Sequence, residues 1–231
     1  MKRISDFDRS HPKGIDEHFH ILDTSAVGRV LYWNQFLGLV RTLPGAIVEC
    51  GVGRGRSLVI LAALNTMLSA EEGGQREVWG FDSFAGFDEP DPQDDSARKP
   101  QKGEWARSPS GTYAYTPEFI REVLGEARVD LSRVNLVPGF LEDTLPHYAG
   151  GPIALLNIDC DLYKPYKNAL DYLYERVVPG GVIVFDDFKI EENPKENFPG
   201  GRKAVYEFFG DRIRDFKESL KGNPYFVKPL T

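Results

Sequence analysis

The stretch Ala46-Ile47-Val48-Glu49-Cys50-Gly51-Val52-Gly53-Arg54-Gly55-Arg56-Ser57 decides how this chain is read. Five residues of strand character, entered through the Pro44-Gly45 breaker, run into glycines at alternate positions, and a helical pattern, Ser57–Leu68, follows. Glycines at that spacing let a backbone turn sharply and let a ligand approach it closely. In doubly wound sheets such a turn lies at the crevice beyond the carboxyl ends of the strands, where ligands bind. A dinucleotide fingerprint would need glycine at positions 51, 53 and 56, and position 56 is Arg. It would also place an acid about 20 residues further on. The acid that ends the next strand, Asp82, comes 31 residues after Gly51, so a nicotinamide dinucleotide is disfavoured.

Outward from this turn the pattern repeats. Strands are expected at Glu77–Asp82, Asn135–Val137, Ile153–Asp159 and Val182–Phe185. Ile153-Ala154-Leu155-Leu156 and Val182-Ile183-Val184-Phe185 are apolar on consecutive positions, as in strands covered on both faces. Helices are expected at Thr116–Arg128, with Thr116 as N-cap and Pro117 at N1, at Pro165–Val178 and at Arg202–Phe209. Alternation of this kind implies an open parallel α/β sheet. Residues 214–227, with Gly222-Asn223-Pro224 in the middle, read as a hairpin that adds an antiparallel strand. Residues 23–43 read as a leading aromatic helix packed on the sheet, within an N-terminal helical arm over residues 1–43. Residues 88–115, rich in Pro, Asp, Lys, Ser and Gly, interrupt the alternation, and a connection that long suggests a lid or a solvated insertion.

The bulk numbers exclude more than they identify. At 231 residues the chain is long enough to bury its own core, and neither repeats nor a linker divide it, so one domain over residues 1–231 is expected. A net charge of −7 speaks against a nucleic-acid binder and against a polybasic membrane binder. Cys50 and Cys160 cannot form a disulfide framework or a four-thiolate metal site. With no signal-peptide pattern and no apolar run of membrane-spanning length, a cytoplasmic location is expected.

Two further groups carry chemistry. Asp82, ending its strand, can accept both ribose hydroxyls of a nucleoside bound at the first strand; the bland alternative is a loop acid or a helix cap. Asp159, Asp161, Asp186 and Asp187 end two neighbouring strands. Carboxylates gathered without basic partners repel one another, and a hard cation such as Mg²⁺ resolves that. For Asp161, just before a helix, capping is the better reading; for Asp159, Asp186 and Asp187, metal binding is.

In these pieces the chain resembles the macrocin O-methyltransferase family (TylF type), S-adenosylmethionine-dependent sugar-hydroxyl methyltransferases of the class I fold. The matching segments are residues 47–55, Phe81-Asp82-Ser83-Phe84-Ala85-Gly86-Phe87, Gly139-Phe140-Leu141-Glu142-Asp143-Thr144-Leu145-Pro146 and Ile158-Asp159-Cys160-Asp161-Leu162-Tyr163. Pro179-Gly180-Gly181 leading to Asp186-Asp187, and Gly201-Arg202-Lys203-Ala204-Val205, complete the set. The resemblance implies a Rossmann-like, mostly parallel seven-stranded sheet with helices on both faces and a C-terminal antiparallel strand. It implies a cofactor site of Glu49, Gly51, Gly53, Ser57, Asp82, Ser83, Phe140, Glu142 and Asp143, and Mg²⁺ held by Asp159, Asp186 and Asp187. The acceptor would be a small molecule bearing a hydroxyl, a sugar on a natural product or glycan. The chain departs from the family in having Cys at 160 for the usual Gly and a longer Lys189–Pro199 stretch, and from catechol-type enzymes in having Leu162 where they place a lysine base.

Asp159 is then the expected catalytic residue, taking the proton of the acceptor hydroxyl. His11, His18, His20 and His147 read as surface residues, and Cys160 as a small packed one. Two rivals stand beside this reading. One takes Asp159-Cys160-Asp161 as the metal motif of a nucleotide-sugar glycosyltransferase, leaving the glycine turn and Asp82 unexplained. The other is a non-catalytic cofactor-binding module. The aromatic N-terminal helix suggests a homo-oligomer interface.

Overall fold

A computed structural model describes residues 23–72, 74–190 and 196–230. The chain runs α1 (Thr24–Leu39), β1 (Ala46–Cys50), α2 (Arg56–Glu72), β2 (Val78–Asp82), α3 (Pro117–Glu126), β3 (Val134–Pro138), α4 (Leu141–Thr144) and β4 (Ile153–Ile158). It continues through α5 (Tyr163–Leu173), β5 (Val177–Phe185), α6 (Pro199–Phe209), β6 (Lys217–Glu218) and β7 (Pro224–Val227). The seven strands form one sheet in the order β3-β2-β1-β4-β5-β7-β6. The first five are parallel, and β7 runs antiparallel to both β5 and β6.

Alternation along the central strands builds two cores. Val48 and Cys50 of β1, with Ile183 and Phe185 of β5, face a layer made by α4, α5 and α6. Ile47, Val182 and Val184 face the opposite layer of α1, α2 and α3. All residues of β1 and β4 are buried, which is why their sequences are apolar apart from Glu49 and Asn157, which hydrogen-bond each other. The leading helix forms as expected: Asp23 caps it, accepting from Ala26 N–H at 2.6 Å, and Tyr32, Trp33 and Phe36 are buried. Phe36 meets Tyr225 of β7 edge-on at 5.2 Å.

The largest difference from the expected boundaries lies between α5 and β5. The helix expected to reach Val178 ends at Leu173, and after a single 3-10 turn the chain enters β5 at Val177. Pro179-Gly180-Gly181 is therefore not a turn between elements but an irregularity inside the strand. The register passes from Ile153↔Val177 to Leu155↔Val182, and Gly180 supplies the positive φ (+79°) that the bulge requires. The hairpin and the Thr116 cap, which accepts from Phe119 N–H at 3.2 Å, are as expected. Among the described residues no helix is long and apolar enough to cross a membrane.

Candidate active site

The strand order reverses between β1 and β4, so the ends of these two strands open onto a common crevice. Their exits are packed backbone to backbone. Asp159 N–H donates to Cys50 C=O at 2.9 Å, and a Cβ on Gly51 would lie 1.7 Å from the Asp159 carbonyl oxygen. Only glycine permits that approach at φ +90°.

Asp82 ties this turn to the neighbouring one. Its Oδ2 accepts from Gly53 N–H at 2.7 Å and its Oδ1 from Phe84 N–H at 2.6 Å. Burial raises its carboxyl above the usual range, and the N–H groups of Gly53, Phe84 and Val52 pull it back. Ser83 shapes the same loop, donating to Gly86 C=O at 2.7 Å.

A cavity of about 390 Å³ opens above these ends. Gly51, Gly53, Ser57, Asp82, Ser83, Phe140, Glu142, Asp159 and Asp186 line it, so most of the residues expected at the site meet there. Trp105 and Tyr115, from the 88–115 insertion, form part of its wall.

Three expected residues are not on that wall. Glu49 is buried beneath the turn, where Oε1 accepts from Asn157 Nδ2 at 2.9 Å and Oε2 has no partner. Burial pushes its carboxyl up to about 8, which keeps it largely protonated near neutrality. Asp143 is exposed on α4, its N–H donating to Phe140 C=O at 3.1 Å. Asp187 turns inward, and its Oδ2 accepts from Asp161 N–H and from the Tyr166 hydroxyl, each at 2.8 Å.

Asp161 does not cap α5. Its own backbone is in the left-handed region (φ +60°), and its carboxyl hydrogen-bonds Asp187. The cap is Asp94, 69 residues upstream in the insertion, whose Oδ1 accepts from Tyr163 N–H at 2.7 Å. Asp94 Oδ2 also accepts from Asp91 N–H at 2.8 Å, closing a capping box around Pro92. The Asp91-Pro92-Gln93-Asp94 pattern signals a local cap, but nothing in the sequence says that it also serves a distant helix. Cys160 is buried, donates to Cys50 C=O at 3.1 Å, and is pushed far above a reactive thiol by burial. His147 is exposed and off the cavity wall; His11, His18 and His20 lie outside the described residues.

The acidic group is electrostatically frustrated. Asp159 lies well above the carboxylate range, through burial first and then through Asp187, Asp186, Asp161 and Glu49. Asp187 is pushed up to about 6 by burial and by Asp186, against the Tyr166 and Asp161 donors. Asp186 is raised by burial, and Lys221 and Lys189 oppose that. Buried oxygens repelling one another are the donor chemistry of a hard-cation site. Among the described residues, however, no three His, Cys, Asp or Glu side chains are already gathered in metal-holding geometry.

Residues 38–206 match the family model of macrocin O-methyltransferase (TylF). The chain is 32% identical over 168 residues to 8-demethyl-8-(2,3-dimethoxy-alpha-L-rhamnosyl)-tetracenomycin-C 4'-O-methyltransferase of Streptomyces olivaceus, covering 73% of this chain and 59% of that protein. It is 30% identical over 170 residues to mycinamicin III 3''-O-methyltransferase of Micromonospora griseorubida, covering 72% and 61%. This chain thus spans about three fifths of the length of these curated relatives. Among solved structures, the calicheamicin methyltransferase CalS11 superposes with a TM-score of 0.77 at 25% identity, covering 97% of this chain and 88% of that one. The chain belongs to the macrocin O-methyltransferase (TylF) family.

Proposed function

We propose that the cavity binds S-adenosylmethionine and that the protein transfers its methyl group to a hydroxyl of a sugar carried by a natural product or a glycan, with Mg²⁺ as a required ion. The observation that carries this reading is the joining of the glycine turn to Asp82 in one cavity with Asp159 and Asp186. A glycosyltransferase reading gives the turn and Asp82 no task.

S-adenosylmethionine supplies a methyl group already activated on a sulfonium, so the protein's part is orientation and electrostatics. Gly51 and Gly53 leave the backbone open to the donor, Ser57 near the start of α2 meets its carboxylate, and Asp82 meets the ribose hydroxyls. Phe140 and Glu142 border the adenine. Asp159, Asp186 and Asp187 would hold Mg²⁺, which supplies Lewis acidity that makes a nearby hydroxyl more acidic.

Asp159 accepts the acceptor's proton. Its carboxylate lines the cavity at the end of β4, which puts a proton acceptor in the space the hydroxyl would occupy. As the O–H bond gives its proton to Asp159, the oxygen forms a bond to the methyl carbon and the C–S electron pair stays on sulfur, leaving S-adenosylhomocysteine. The insertion over residues 88–115 serves as a lid, with Trp105 and Tyr115 against the acceptor.

The test is methyl transfer from labelled S-adenosylmethionine to a panel of sugar acceptors, with Mg²⁺ and then with a chelator. Transfer that stops on chelation and returns with Mg²⁺ is expected. Tight S-adenosylhomocysteine binding with no transfer to any acceptor would favour the binding module. Binding of a nucleoside-diphosphate sugar without S-adenosylhomocysteine would favour the glycosyltransferase.

A further inference from the structure

The cavity wall is more acidic than basic, with eight acidic and five cationic side chains. The cations are not equally placed. Arg54 and Arg56 belong to the glycine turn, Arg29 of α1 donates to Ser25 Oγ at 2.5 Å, and Lys164 of α5 leans to Asp91 at 3.8 Å. Lys221, at the tip of the β6–β7 hairpin, answers the acidic group instead: it and Lys189 offset the burial of Asp186.

The hairpin tip is built to hold that position. Ser219 N–H donates to Asn223 C=O and Gly222 N–H to Ser219 C=O, each at 2.9 Å, which closes the turn. The turn is then tied to the end of β5. Buried Asn223 donates through Nδ2 to Asp186 C=O, and the same nitrogen stands 3.4 Å from Asp186 Oδ1. Lys189, just beyond β5, donates to Lys221 C=O at 2.5 Å and to Asn223 Oδ1 at 2.8 Å. Lys221 Nζ lies 4.2 Å from the centre of the buried Tyr32 ring, whose electron-rich face attracts an ammonium. Tyr32 is itself within electrostatic reach of Asp186 and Asp159. Partial burial of the ammonium lowers its proton affinity, and Asp186 and Asp159 pull the other way. Among the described residues Lys221 makes no direct ion pair, so its charge acts on the two acids without occupying their oxygens.

We propose that Lys221 is the tethered counter-cation of the Asp159–Asp186 group, offsetting its charge while no metal ion is bound and weakening the hold on a divalent ion that is. The inference rests on the Mg²⁺ reading above and deepens it. A fixed positive charge a few ångströms away opposes a second cation strongly enough to move an affinity severalfold, and salt screens the effect. Such a residue spares the metal-free protein a group of unopposed buried carboxylates, and it keeps the bound ion exchangeable.

The experiment measures Mg²⁺ binding by calorimetry, and Tm with and without Mg²⁺, at low and matched ionic strength. The proteins are chelator-stripped wild type, Lys221→Met and Lys221→Arg. Methionine keeps an unbranched chain against Tyr32 and removes the charge, while arginine keeps the charge. Lys221→Met is expected to bind Mg²⁺ at least about threefold more tightly. Its Tm is expected to lie below wild type without the ion and to approach it as Mg²⁺ saturates, because tighter binding stabilises more. Lys221→Arg is expected to follow wild type in both. Equal or weaker Mg²⁺ binding by Lys221→Met overturns the inference. So does a Tm deficit that Mg²⁺ leaves unchanged or that arginine fails to restore, since either would make Lys221 a packing element on Tyr32. Mg²⁺ that neither binds nor shifts Tm in any of the three proteins would instead defeat the metal reading, and the inference with it.

Discussion

The carboxylate of Asp94 accepts from the backbone N–H of Tyr163 at 2.7 Å, across 69 residues of sequence. Through that contact the 88–115 insertion caps the helix that follows Asp159 and Asp161. Asp94 is almost fully buried, and the insertion is held nearby by Ser96 to Asn197 C=O at 2.8 Å and by the Arg98 guanidinium 4.8 Å from the Phe198 ring centre. Asp94→Ala leaves an orphaned N–H at the start of α5, a loss of about 1 kcal/mol for the cap alone. In a chain of this size that corresponds to about 2–4 °C in Tm. Thermal denaturation is expected to show at least this fall, and limited proteolysis to cut the insertion faster. An unchanged Tm with unchanged cleavage would show the latch to be idle.

Gly200 is the other half of the latch. A Cβ there would stand 1.8 Å from Asp94 Oδ1, so Gly200→Ala has to push the carboxylate off Tyr163. Because both substitutions break one contact, their effects on Tm are expected to be clearly less than additive. Additive losses would separate the two residues.

Asp82 holds the glycine turn and, in the proposed cofactor site, would meet the ribose, so its removal has two expected consequences. Asp82→Asn keeps the size but makes one oxygen a donor, facing either the Gly53 or the Phe84 N–H. Calorimetry is expected to show S-adenosylhomocysteine affinity reduced at least about tenfold, as charge-assisted hydrogen bonds are lost. Retained affinity would remove Asp82 from the cofactor site.

Glu49 makes the ligand-free protein sensitive to alkali. Its folded value, raised to about 8 from an ordinary 4.5, means the native state binds a proton that the unfolded state has released. Stability from this group is therefore full below the ordinary value and declines as pH rises from about 5 to 8. Tm of the ligand-free protein is expected to fall over that interval, and Glu49→Gln to flatten the fall while leaving Tm at pH 5 nearly unchanged. A variant whose Tm runs parallel to wild type would place the sensitivity elsewhere.

Much of the fold was legible because the buried parallel strands have no polar face to hide; Ile153–Ile158 and Val182–Phe185 can be little else. The end of α5 is not legible because Pro179-Gly180-Gly181 has the composition of a turn, and only the pairing with β4 makes it a bulge. In the cavity, Gly51, Asp82 and Asp159 were readable from their positions at strand ends. Asp161 has the sequence position of a cap, but the capping of α5 by Asp94 depends on where the insertion folds back, which carries no local signal. Arg29 and Lys221 were equally hidden: they are ordinary surface residues in sequence, brought to one opening by α1 and the β6–β7 hairpin.

The most direct measurement of the central claim is turnover of Asp159→Asn, read with its S-adenosylhomocysteine affinity. The amide keeps the shape of the side chain but cannot take the acceptor's proton, and general-base catalysis contributes about 10²–10⁴ in rate. A fall in kcat of that order, with S-adenosylhomocysteine affinity near that of wild type, is the predicted result. Turnover intact in Asp159→Asn would contradict the account.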